Sequence, residues 1–290
     1  MDDEEASRLL IDEYSRMAEK YDAHAAPHNA PLVERLLELV DVQPGERLLD
    51  LGCGTGNLAF EAIRWVGNDG RVAGVDLAEG MVAFARRKAA AEDVRNASFE
   101  VMDCRRLSYE DGSFDVVASC LGIPSVGHTL CFRQAYRVLR KGGRFVYCVG
   151  TGAGPVAEVL LAFREIFEKH RPPPSADVQR LIDARRIVHA TGQPGEIRKP
   201  DVAVSQLLAA GFDVAEPQTE TFPMTFPALD DYLRYRNAWG DNVREWRDLA
   251  EEARKAILRD VTIHIDGFGR DIGFGYEREV LFLRASKGPS

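Results

Sequence analysis

One stretch limits what this chain can fold into more than any other: residues 47–60, reading RLLDLGCGTGNLAF. Leu48, Leu49 and Leu51 make a short apolar run around Asp50, and Gly52, Gly54 and Gly56 follow before an apolar, helix-like segment resumes at Leu58. The pattern reads as a buried parallel strand, a glycine turn and a helix. Each glycine removes a Cβ where the backbone turns sharply and where a ligand can lie against bare peptide groups. The helix that follows points its unpaired N–H groups at that ligand.

Two ligand classes use such a turn, and a turn with no ligand is the plain alternative. A dinucleotide fingerprint, GxGxxG, requires a third glycine where this chain has Asn57; the pattern here is GxGxG. Residues 71–76 read as a second buried strand that stops on Asp76, whose carboxylate can accept from both hydroxyls of a ribose. Residues 98–102 read as a third strand ending in Asp103-Cys104. DGSFDVVAS at 111–119 then reads as a fourth strand, and QAYRVLRKGGRF at 134–145 as a helix, a glycine turn at Gly142-Gly143 and a fifth strand.

Taken together, these linked motifs resemble the class I S-adenosylmethionine-dependent methyltransferases. The segment Ala18-x-x-Tyr21-Asp22 resembles the start of the ubiquinone/menaquinone biosynthesis C-methyltransferases and their small-molecule relatives, so the resemblance runs from Ala18 to Val149. It implies an α/β, Rossmann-like, doubly wound seven-stranded sheet, mostly parallel with an antiparallel strand at one edge, plus a helical lid and insertions. The implied cofactor is S-adenosylmethionine, leaving as S-adenosylhomocysteine. Gly52, Cys53, Gly54, Gly56 and Asn57 would follow its methionine end, with Asp50 near the ammonium group and the carbonyls of Ser119 and Cys120 completing that end. Asp76 would take the ribose, Leu77, Met81, Asp103 and Cys104 the adenine, and Tyr21 would close over the cofactor from the lid.

Length and charge narrow the class further. At 290 residues the chain can bury a sizeable core, and nothing divides it into independent domains. A net charge of -9 without a clustered basic face argues against a nucleic-acid partner. Five scattered cysteines without a CxxC pair fit reduced thiols. The acidic start MDDEEASRLL and the lack of a membrane-spanning apolar run lead to the expectation of a cytoplasmic protein.

The expected layout is one methyltransferase domain over 1–290, with a helical lid at 1–41 and a cofactor-binding core at 42–150. A helical insertion at 151–211 has helices near 155–169, 176–190 and 202–210, and the last two strands lie within 212–286, at 212–222 and 276–284, around a helical cap at 223–273. The loop after the fourth strand, Ser119 to Val126, shows neither the Asp/Asn-Pro-Pro-aromatic of base N-methylation nor a Pro-Cys nucleophile, and no base. His24 and His28 in the lid are the candidate general bases, against the simpler role of solvated polar residues. No carboxylate or histidine cluster has metal spacing, so no metal is expected. Phe226, Tyr232, Tyr235 and Trp239 could line an apolar substrate pocket, or be ordinary core. The expected activity is methyl transfer to an oxygen, carbon or nitrogen of a small organic molecule. Quinone-ring C-methylation, NAD-dependent oxidoreduction and SAM binding without catalysis remain as alternatives, and the oligomeric state stays open.

Overall fold

The structure, a computed structural model, describes residues 1–289 apart from 124–127, 152–164, 171–172, 192–195, 215–216, 239–245, 247–248 and 267–273. Among the described residues eight strands form one sheet: β1 (Arg47–Leu51), β2 (Arg71–Asp76), β3 (Ala97–Val101), β4 (Phe114–Cys120), β5 (Leu139–Gly150), β6 (Asp213–Val214), β7 (Gln218–Phe226) and β8 (Phe274–Ser286). Their order is β3-β2-β1-β4-β5-β8-β6, and β7 also pairs with β8, so two segments share the seventh position. β1 to β5 are parallel, and β8 runs antiparallel to its neighbours. The chain winds from β1 out to β3 and returns to β4, which opens a crevice at the carboxyl ends of β1 and β4.

The helices are α1 (Asp3–His24), α2 (Ala30–Val40), α3 (Asn57–Val66), α4 (Glu79–Ala91), α5 (His128–Val138), α6 (165–170), α7 (Ala176–Thr191), α8 (Pro200–Ala209), α9 (Leu229–Arg236) and α10 (Glu251–Asp266). Alternation along β1 explains the layers. Leu48 points into a core with Leu36 of α2, Ala62 of α3 and Val82 of α4, while Leu49 and Leu51 point into another with Phe132 of α5 and Leu207 of α8. No helix among the described residues is long and apolar enough to cross a membrane.

Three expectations need correction. The strand read at 212–222 is two segments, and β7 continues to Phe226, so residues 223–226 belong to the sheet rather than to the cap. Pro223 is tolerated there because, among the described residues, β7 pairs with β8 alone. The helix before Gly142-Gly143 already ends at Val138. Leu139 instead pairs with Phe114, and Gly142, at φ 72, bends β5 and donates its N–H to Lys287 O. The helix read at 155–169 is described only over 165–170, and Trp239 lies outside the described residues.

The N-terminal helix is fixed at several points. Asp2 caps it through Glu5 N at 2.8 Å, Arg180 of α7 holds Glu5 at 2.7 Å, and Lys88 of α4 reaches Asp22 at 3.3 Å. The closest approach is at Gly80, where a Cβ would stand 2.1 Å from Ser15 O. Gly80→Ala should therefore push α1 off α4 and raise amide hydrogen exchange over Asp3–His24, leaving β1 and β4 protected. Unchanged exchange in α1 would show that this contact does not seat the helix.

Candidate functional site

The ends of β1, β2, β4 and β5 surround a cavity of about 490 Å³ roofed by α1. Gly52 and Gly54 of the glycine turn, Asp76, Leu77 and Met81 after β2, Cys120 and Gly122 after β4, and Val149 and Gly150 of β5 form its floor and walls. Ile11, Tyr14 and Tyr21 come down from α1, and Arg198 enters from a 3-10 turn, Glu196–Arg198.

The turn takes its shape from glycine. Gly52, Gly54 and Gly56 sit at φ 71, 54 and 92, where a side chain is strained. Gly52 N and Cys53 N both donate to Val75 O, at 2.8 and 3.0 Å, which folds the turn over β2. A Cβ on Gly52 would lie 2.5 Å from Gly122 O, and one on Gly122 would lie 2.4 Å from Leu51 O, so the loops after β1 and β4 touch backbone to backbone. Ser119 Oγ donates to Leu51 O at 2.7 Å and fastens the same two strand ends. Leu121, at φ 59, takes the strain of the turn that follows. Gly54 and Gly150 both face the cavity, and a Cβ on either would meet at most the Tyr21 ring, at 3.9 Å.

Two carboxylates stand at this turn with different environments. Asp76 accepts from Gly54 N at 2.9 Å and Ala78 N at 2.8 Å; burial raises its pKa against these bonds, and it still lines the cavity. Asp50 is fully buried beneath the turn, and its Oδ2 has no hydrogen-bond partner among the described residues. Burial, reinforced by the charge of Asp76 and opposed by the Ala59 N–H, pushes it up to about 8. The Tyr21 phenol is pushed well above its ordinary range by burial, then by Cys120 and Tyr14, while Asn29 Nδ2 donates to it at 3.4 Å.

The cavity thus brings together Tyr21, Gly52, Gly54, Asp76, Leu77, Met81 and Cys120 of the expected cofactor set. The other members stand behind it. Gly56 caps α3, Asn57 Nδ2 donates to Ala26 O at 3.1 Å, and Cys53 is buried in the core. Asp103 does not line the cavity: burial would raise its pKa, but Arg105 binds both its oxygens at 2.7–3.0 Å and holds it below the ordinary value. Cys104 is buried with its sulfur 2.9 Å from that of Cys131, and Ser119, whose hydroxyl donates to Leu51 O, does not line the cavity.

The candidate bases lie elsewhere too. His24 opens on a second cleft beside Arg234 and Arg254. The His28 ring packs 4.8 Å from Phe226 and 5.0 Å from Tyr235, and burial, aided by the nearby Arg278 charge, lowers its pKa. Phe226, Tyr232 and Tyr235 are buried together with Met224 and Leu233 and do not line the cavity, although Tyr21, which does, packs against them. Among the described residues no group of His, Cys, Asp and Glu has the makings of a metal site. The reading of the sequence missed Ile11 and Arg198. Tyr14, 39% exposed, also lines the cavity.

A doubly wound sheet with a glycine turn, an acid at the next strand end and an open cavity between them defines a protein built to hold a nucleoside-type ligand. Residues 48–143 match the family model described as a methyltransferase domain. The chain is 30% identical over 266 residues to nocamycin O-methyltransferase of Saccharothrix syringae, covering 88% of this chain and 91% of that protein. It is 32% identical over 151 residues to a demethylmenaquinone methyltransferase of Symbiobacterium thermophilum, covering 49% and 59%. Among solved structures, the YcgJ protein of Bacillus subtilis shares the fold, with a TM-score of 0.54 at 17% identity over 89% of this chain and 98% of that one. The chain belongs to the class I S-adenosylmethionine-dependent methyltransferases of the small-molecule type.

Asp50 supplies a pH test. Its folded pKa of about 8 lies far above the ~3.9 of an unfolded aspartate, so the folded protein keeps the proton while the unfolded chain releases it. Its contribution to stability therefore falls as pH rises from about 4 to about 8. Asp50→Asn should melt increasingly above the wild type across that window and hold a constant gap beyond it. A gap that narrows with rising pH would contradict this environment.

Proposed function

We propose that this chain methylates an oxygen atom of a small organic molecule. The observation that carries the reading is how far the likeness to the nocamycin enzyme extends. It spans 88% of the chain, including the insertions beyond β5, where an acceptor would enter, whereas the demethylmenaquinone relative matches only 49%.

When bound, S-adenosylmethionine supplies a methyl group already activated on a sulfonium. In this reading Asp76 accepts from its ribose, and the buried, protonated Asp50 carboxyl offers its unpartnered oxygen as an acceptor to the ammonium group. Gly54 and Gly150 leave backbone bare along its length. The α1 roof excludes water and holds the reactants in line, the two tasks that such a transfer asks of a protein. Neither histidine serves as a base. Neither lines the cavity: His24 faces another cleft, and the His28 ring is packed against Phe226 and Tyr235.

The test is turnover of S-adenosylmethionine with a panel of hydroxylated and acidic acceptors, followed by mass spectrometry of the product. A new O–methyl bond is the expected result, and a new ring C–methyl bond would favour the quinone-type reading. His24→Ala and His28→Phe should keep turnover within about tenfold of wild type, far from the ~10²–10⁴-fold loss of a general base. EDTA should have no effect. Activity that EDTA abolishes and magnesium restores would overturn the mechanism.

A further inference from the structure

Besides Asp76, a single charged side chain among the described residues lines the cavity: Arg198. It comes from the 3-10 turn after α7, held against the core by buried Ile197. Arg198 makes no hydrogen bond or ion pair with any described residue, and its Nε is shut off from solvent. A second arginine adds to the same field. Arg278 of β8 donates to Asn29 Oδ1 at 3.0 and 3.1 Å and to His28 O at 3.4 Å, all neutral groups. Its Nε is also unpartnered among the described residues, and its charge reaches Cys120 on the cavity wall.

The contrast with other arginines decides what this means. Arg144 binds Glu46 at 2.6 Å and Arg35 binds Glu220 at 2.8 Å. The chain has 46 acidic residues against 37 basic ones, so partners are plentiful. Arg198 is half-buried, with its Nε shut off from water and no carboxylate among the described residues to meet its charge; a cavity that keeps a guanidinium so is prepared for an anion that arrives with the ligand. Position says which end of the ligand. Asp76 ends β2 and Arg198 sits beside β5, with β1 and β4 between them. β2 and β5 stand three interstrand spacings of ~4.8 Å apart, about 14 Å across the sheet, and the turn that carries Arg198 packs on β5, which puts Arg198 on the acceptor side of a nucleoside anchored at Asp76.

We propose that Arg198 receives a negatively charged group of the methyl acceptor, and that the substrates are acidic small molecules, carboxylic acids or ionised enols and phenols. The inference rests on the methyltransferase reading above. An acceptor that arrives ionised has no proton for a base to remove, which accounts for a cavity without one among its described residues. The other source of the same chemistry is the carboxylate of the cofactor's methionine part, and the test separates the two.

Full-length protein saturated with S-adenosylhomocysteine is titrated by calorimetry with matched acids and amides: benzoate and benzamide, phenylacetate and phenylacetamide, cinnamate and cinnamamide. Acids should bind at least about tenfold more tightly than their amides, as expected for charge-assisted hydrogen bonds. Arg198→Gln should erase that preference and Arg198→Lys should keep part of it, with the melting temperature and the affinity for S-adenosylhomocysteine unchanged. The proposal is overturned by no acid binding into the millimolar range, by a preference that survives Arg198→Gln, or by a variant that loses S-adenosylhomocysteine but keeps 5′-methylthioadenosine, which would assign Arg198 to the methionine tail. A wild-type protein that fails to bind S-adenosylhomocysteine sinks the methyltransferase reading itself. Cofactor binding with no preference for acids sinks this proposal alone.

Discussion

The site depends on two peptide chains approaching closer than any side chain allows. Gly52 and Gly122 meet backbone to backbone, with Ser119 Oγ bonded to Leu51 O just beneath. This contact lets the loops after β1 and β4 close over the topological switch point, and it leaves Gly54 bare toward the cavity. Everything downstream inherits it. The turn can reach back to Val75 O, Gly54 N can fix the Asp76 carboxylate, and Asp50 is trapped underneath with its pKa raised. A side chain at either glycine would have to part the two strand ends first.

Much of this was legible in the sequence because it is local. The apolar run at Leu48–Leu51, the three glycines and the acid at the end of β2 are each set by neighbours within a few residues, and the structure brings Gly52, Gly54 and Asp76 to one cavity. What was not legible depends on partners distant along the chain. Asp103 reads as an open acid at a strand end, yet Arg105 fills both its oxygens. Gly142 reads as a helix stop, yet a bond to Lys287 makes it a bend within β5. Arg198 carried no signal at all, since its place in the cavity comes from the packing of Ile197 on a core assembled from α5, α8 and the sheet.

Asn57 shows how one position can mislead and inform together. Its identity separates the turn from a dinucleotide fingerprint, as the sequence suggested, but its side chain does not face the cavity. It bonds Ala26 O and so ties the start of α3 to the segment joining α1 and α2. A relay from Tyr21 through Asn29 to Arg278 continues the connection across to β8. The N-terminal helix and the segment after it are therefore linked both to the start of α3 and to β8. The aromatic residues near Phe226 support that linkage from behind, with His28 packed between Phe226 and Tyr235.

The central claim is that the glycine turn and Asp76 select S-adenosylmethionine and not a dinucleotide. Calorimetric titration of the full-length protein with S-adenosylhomocysteine and, separately, with NADH tests it most directly. The account predicts saturable, one-to-one binding of S-adenosylhomocysteine and no measurable heat from NADH. Tighter binding of NADH than of S-adenosylhomocysteine would contradict it.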